Sequence, residues 1–141
     1  MELDLANLSP AEVTARFDEI QAAIQALPQA TLNYRHTFGP GVYAREMSAP
    51  QGALIVGKIH ATANLFILWA GTITVWDAEN GVRQLTAPHI EWGKVGVRRL
   101  GLCKTDVVWT NYFPTTETDL ATLEKTLEIP HEVAGLSDVK P

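Results

Sequence analysis

The stretch Gly52-Ala53-Leu54-Ile55-Val56-Gly57-Lys58-Ile59-His60-Ala61-Thr62-Ala63-Asn64-Leu65-Phe66-Ile67-Leu68-Trp69-Ala70-Gly71 decides the fold. It reads as two β-rich runs, Ala53–Ile59 and Leu65–Trp69, with a glycine before the first and another after the second. Branched and aromatic side chains suit a pleated, half-buried strand, and glycine marks where the chain turns. The apolar run Leu65–Ala70 is far too short to cross a bilayer, which takes about 20 such residues.

The same texture continues outward from Thr31 to Pro114. Further runs are Leu32–His36, Val42–Met47, Thr72–Asp77, Val82–Thr86, Val97–Leu102 and Val107–Phe113. Turn signals separate them: Phe38-Gly39-Pro40-Gly41, Ala49-Pro50-Gln51-Gly52, Glu79-Asn80-Gly81 and Trp92-Gly93. Asn80-Gly81 predicts a hairpin joining Thr72–Asp77 to Val82–Thr86. Short strands at this spacing, with no helices between them, predict a sandwich or barrel.

Helices flank the β region. Ser9 caps, Pro10 suits the first turn and Glu12 completes the capping box of a first helix. Val13, Phe17, Ile20, Ile24 and Leu27 then recur at steps of four and three, an apolar stripe that ends before Pro28. Such a stripe packs on the barrel or on a second subunit. Thr116-Glu117-Thr118-Asp119 opens a second helix, with Leu120, Leu123 and Leu127 on one face and Pro130 as its stop. The tail beyond is polar and reads as loose. The expected organisation is a helical segment over 1–30, a barrel over 31–115, and a helix with tail over 116–141.

Across 141 residues, 46% are hydrophobic and 19% charged, the balance of a globular chain. A net charge of −5 argues against a general nucleic-acid binder, whose phosphate contacts need a basic surplus. The opening Met1-Glu2-Leu3-Asp4 is acidic where a signal peptide is basic, so the sequon Asn7-Leu8-Ser9 reads as unused. The single cysteine, Cys103, forms no internal disulfide and fits a reducing compartment. In an apolar run it reads as a buried filler, not a nucleophile. The expected location is cytoplasmic, with neither membrane nor nucleic acid as partner. The chain has no phosphate loop, nucleophile elbow, Cys-x-x-Cys or His-Glu-x-x-His.

The spacing from Gly52 through Lys58-Ile59-His60 and Asn64 to Gly71 resembles the first motif of the cupin superfamily. That motif is a glycine, five residues, His-x-His, three or four residues, Glu, six residues and a glycine. Lys94-Val95-Gly96-Val97-Arg98-Arg99 resembles the second motif less closely, keeping Gly96 but placing Arg99 where a metal-binding histidine stands. The resemblance spans Thr31 to Pro114. It implies a mainly β protein: a single cupin-type jelly-roll barrel with an N-terminal amphipathic helix and a short C-terminal helix. His36, Gly41-Val42-Tyr43-Ala44-Arg45 and Gly57-Lys58-Ile59-His60 also resemble small cupin-like proteins common in phages and prophages.

The motif positions that hold metal in cupins are Lys58, His60, Asn64 and Arg99 here. Ammonium and guanidinium groups offer no lone pair and repel a cation, which leaves His60 as one good ligand. The expectation is no metal and no cofactor; His36 or His89 is the residue that could rebuild a site with His60, while His131 lies beyond the second helix. Alternation puts Lys58 and His60 on one side of a strand, and the resemblance turns that side inward, facing Asn64 and Arg99. Lysine and arginine inside a barrel seat a phosphate or carboxylate, with aromatic stacking from residues such as Tyr112. The alternative is structural: Lys58 reaching the barrel mouth, and Arg99 pairing with Glu46, Glu91 or Asp106.

Three functions stay open. One is a metal-free barrel that binds a small anion: a nucleotide, sugar phosphate or carboxylate at Lys58, His60, Asn64, Arg99 and Tyr112. A second is a metal-independent sugar-nucleotide isomerase with His60 as base and Tyr43 or Tyr112 as acid. A third is a phage-type accessory or virion-associated module that binds proteins through its first helix and tryptophan-rich strands. A homodimer is expected in each case.

Overall fold

A computed structural model describes residues 9–57, 62–77, 79–127 and 132–137. Among them are ten strands: β1 (Asn33–Gly39), β2 (Val42–Ala49), β3 (Ala53–Val56), β4 (Asn64–Ala70), β5 (Thr72–Asp77), β6 (Gly81–Thr86), β7 (His89–Gly93), β8 (Leu100–Cys103), β9 (Val107–Pro114) and β10 (Val133–Leu136). They form two antiparallel five-stranded sheets, ordered β1-β2-β9-β4-β7 and β10-β3-β8-β5-β6. The expected hairpin is present, pairing Asp77 with Gly81 through to Thr72 with Thr86. Gly81 takes the positive φ of 70° that the turn requires.

Strand alternation builds the interior. In β2, Tyr43, Arg45, Met47 and Ala49 are buried while the residues between them are half-buried. Between the sheets lie Met47, Ile55, Phe66, Leu68, Ile73, Val75 and Trp109, with Cys103 fully buried among them. Every residue of β3 and β8 is buried, because the outer face of this sheet is covered too. Its cover is α2 (Phe17–Gln25), whose Phe17, Ile20 and Ile24 pack on Leu54, Val56, Trp76, Leu100 and Leu102. Phe17, Ile20 and Ile24 of the apolar stripe read from the sequence thus face the barrel. Burying Ile20 and Ile24 completely stabilises the docking by about 1.5–3 kcal/mol each.

The N-terminal stripe is carried by two helices: α1 (Pro10–Ala15) stops at Arg16 before α2 begins. Ser9 Oγ accepts the Glu12 amide at 3.2 Å, as the capping box predicts. Asp119 caps α3 (Leu120–Thr126), accepting the Thr122 amide at 3.1 Å. Leu123 and Leu127 pack on Tyr43 and Phe113.

Two expectations need correction. The segment read as a loose tail contains β10, which pairs with β3 and extends the second sheet. Trp92-Gly93, read as a turn, belongs to β7, an edge strand paired with β4. Gly71 keeps its motif role for a steric reason. Its φ is +88°, and a Cβ there would meet the Asp106 carbonyl at 2.1 Å. No helix among the described residues is long and apolar enough to cross a membrane.

Candidate functional site

The inward side chains leave a cavity of about 80 Å³ between the sheets. Met47, Ile55, Ile73, Val75 and Trp109 make most of its wall apolar, and Phe66 stacks on Trp109 with ring centroids 4.2 Å apart. Gly57 and Gly101 present backbone to it. Among the described residues, three polar side chains reach it: Arg99, Asn111 and Glu132.

Arg98 and Arg99 diverge at the start of β8. Arg98 turns outward, donating to the Gln21 side chain at 2.7 Å and to the Gly57 carbonyl at 3.0 Å, with its guanidinium over the Phe17 ring. Arg99 turns inward, its carbonyl held by the Gly57 amide at 3.0 Å. The Arg99 guanidinium stands 5.0 Å from the Phe66 ring centre, and its Nε is 3.6 Å from Asp77 Oδ2. It makes no hydrogen bond to any described residue, and its Nε is buried without an acceptor. Burial pulls its pKa down, against the opposing pull of Asp77.

Asp77 is fully buried, and its Oδ1 accepts the amides of Glu79 and Asn80 at the β5–β6 turn. Its Oδ2 accepts no hydrogen bond and faces Arg99 and, at 3.9 Å, Arg83. Arg83 is engaged elsewhere, in a two-pronged contact to Glu91 at 2.7 and 2.9 Å. That contact, with His89 also on Glu91 at 3.2 Å, pulls the Glu91 carboxyl down to about 2. The Arg99 counter-charge is therefore Asp77, not Glu46, Glu91 or Asp106.

Glu132, next to β10 in the same sheet, accepts Arg45 of the opposite sheet at 2.7 and 3.2 Å and the Tyr34 hydroxyl. Arg45 is 4% exposed and lies 4.2 Å from the Tyr34 ring centre. Burial and the neighbouring Glu132 charge push the Tyr34 phenol far up. Asn111 joins two strands: its amide donates to Asn64 Oδ1 at 2.7 Å, and its carbonyl oxygen accepts Trp109 Nε1 at 3.1 Å.

Of the residues singled out from the sequence, Arg99 lines the cavity and Asn64 supports it by holding Asn111. Lys58, His60 and His131 lie outside the described residues. Tyr112 does not join the site. Alternation that sends Trp109 and Asn111 inward sends Tyr112 to the outer face, beside Ala44 and Leu65. Tyr43 is fully buried, hydrogen-bonded to His36 at 2.7 Å, and burial pushes its phenol up to about 12. His36 and His89 sit on β1 and β7, opposite edges of one sheet, so they do not converge. Lys94 pairs with Glu79, while Arg99 points into the cavity.

Glu132, Arg45, Asp77 and Asn111 were missed. Arg45 and Asn111 had a signal, since each is a polar residue at an inward position of an alternating strand. Glu132 had none, because its place depends on the pairing of β10.

The double-sheet topology places the chain in a known architecture: it has the cupin fold, a double-stranded β-helix. It is similar to an RmlC-like cupin from Shewanella frigidimarina at 19% identity, covering 61% of this chain and 78% of that one, with a TM-score of 0.52. It is also similar to an ectoine synthase from P. lautus at 12% identity, covering 86% and 88%, with a TM-score of 0.58. A cupin-family protein from Methanocaldococcus jannaschii matches at 11% identity over 60% and 80%, with a TM-score of 0.51. No protein-family model and no curated protein matches the sequence.

Cupins commonly hold a metal at the four motif positions, and the two described here do not fit one. The Asn64 side chain is committed to Asn111 and the Thr62 carbonyl, and Arg99 carries a positive charge beside the cavity. Among the described residues, no three His, Cys, Asp or Glu side chains stand close enough to hold an ion.

Proposed function

We propose that the protein binds a small anionic molecule inside the barrel, with Arg99 as the cation that receives it. One observation carries this reading: a guanidinium at the wall of a mostly apolar cavity that makes no hydrogen bond to a described residue, its Nε 3.6 Å from Asp77 Oδ2. Buried donors without acceptors are costly, and an anion would supply two acceptors in the fork geometry that guanidinium matches. Calorimetric titration with small carboxylates and phosphates tests it. Wild-type protein should bind, and Arg99→Met should bind about 10–100-fold more weakly while keeping its far-ultraviolet spectrum. Equal affinity in both proteins would overturn the reading. The isomerase alternative gains no support from the phenols, since Tyr43 is buried against His36 and Tyr112 faces outward.

A second observation favours self-association. Trp69, Ile90 and Trp92 are 52%, 61% and 67% exposed on the outer face of β4 and β7. They offer on the order of 400 Å² of side chain, about half of what each partner contributes to a standard interface. The open edge of β7 offers backbone groups for the remainder. A second copy carries the same apolar face and the same unpaired edge, so the proposed assembly is a homodimer. Light scattering should give a dimer mass that Ile90→Lys reduces to a monomer; a monomeric wild type at micromolar concentration would overturn this.

A further inference from the structure

From the size and polar pattern of the cavity we infer that its occupant is a short-chain monocarboxylate carrying one hydroxyl or amino donor. This rests on the anion-binding reading above and narrows it.

Size comes first. One water needs about 10–15 Å³ of such space, so the part of this half-open cavity held between the sheets, about 80 Å³, takes about five to eight non-hydrogen atoms. A carboxylate with two to five further atoms fits. A nucleotide or a sugar phosphate would extend beyond that space, and the apolar wall of Met47, Ile55, Ile73 and Val75 offers no partner to hydroxyls held inside it.

Polarity sets the rest. Arg99 makes no hydrogen bond to a described residue, and Asn111 uses one amide hydrogen on Asn64, leaving its second without an acceptor among those residues. Both line the cavity, so its wall carries two donor groups of the kind a carboxylate accepts from. Glu132 presents the opposite need. It accepts two bonds from Arg45 and one from Tyr34, three of the roughly four that a carboxylate can take. Among the described residues nothing else donates to it, so the remaining acceptor position suits a donor on the occupant, which a bare hydrocarbon tail lacks. Hydroxyl and amino groups both satisfy it.

The experiment is calorimetric titration of the full chain with 3-hydroxybutyrate, 4-aminobutyrate, butyrate, butyramide, octanoate, glucose 6-phosphate and uridine monophosphate. 3-Hydroxybutyrate or 4-aminobutyrate, whichever binds better, should exceed butyrate several-fold and butyramide at least tenfold, with no binding of octanoate. The better of the two identifies the donor. Met47→Ala lengthens the cavity and should admit octanoate, a gain that a merely destabilised variant would not show. Tighter binding of glucose 6-phosphate or uridine monophosphate through Arg99 would overturn the assigned class and leave anion binding standing. Butyrate equal to its hydroxy and amino forms would overturn the role of Glu132. Absence of heat with every anion, in wild type and Arg99→Met alike, would sink the anion-binding reading itself.

Discussion

Arg45 and Glu132, 87 residues apart in sequence, meet at 2.7 Å inside the barrel and fasten β10 to the opposite sheet. The pair is almost dry, at 4% and 14% side-chain exposure. Breaking such a pair from one side strands the remaining charge and costs about 3–5 kcal/mol. Arg45→Met should therefore lower the urea-unfolding free energy by about that much. Replacing both, with Glu132→Leu added, should restore most of the loss, because two apolar groups leave nothing unpaired. A single variant within about 1 kcal/mol of wild type would show that the pair adds little beyond its packing.

Glu91 sets an acid-side dependence. Its carboxyl titrates at about 2 in the folded protein, chiefly through the hydrogen bond to Arg83, and at about 4.5 when unconstrained. Between those values the unfolded chain binds more protons, so the stabilisation is complete above about 4.5 and is lost as pH falls toward about 2. Glu91→Gln should flatten that limb of the stability–pH curve. Identical slopes for wild type and variant across this window would refute the assignment.

Cys103 should be inert in the native protein. It is fully buried, and burial pushes its thiol up to about 12, so almost no thiolate exists at pH 8. Iodoacetamide labelling, followed by intact mass, should track global unfolding in urea. Rapid modification in the absence of denaturant would contradict the burial.

Gly71 should tolerate no side chain. Its φ is +88°, and an alanine methyl there would stand 2.1 Å from the Asp106 carbonyl oxygen, so Gly71→Ala strains the β4–β5 corner. A thermal midpoint several degrees below wild type is expected. An unchanged midpoint would mean the 105–106 segment moves aside freely.

The strand pattern was legible where punctuation was strong. Thr72–Asp77 and the Asn80-Gly81 turn are local facts, and the structure reproduces both. β7 was not, because Trp92-Gly93 looks like a turn until β4 is present to pair with it. β10 is four residues, Val-Ala-Gly-Leu, with no strand identity apart from β3. The site divides the same way. Arg99 stands out because it breaks a motif, and Arg45 because it breaks an apolar alternation. Asp77 reads as a hairpin residue, which it is, yet its second oxygen faces Arg99 through packing that no local pattern encodes.

The placement of Glu132 beside β10 ties the proposed recognition to the order in which the barrel is made. Strands β1 to β9 precede it, so a nascent chain can assemble most of both sheets while the Glu132 carboxylate is still missing from the cavity. The acceptor that completes the pocket arrives with the strand that closes the second sheet's edge. Capacity to hold an occupant therefore develops late, after the sheets that enclose it, and a ligand bound there would favour the docked form of β10 over its release.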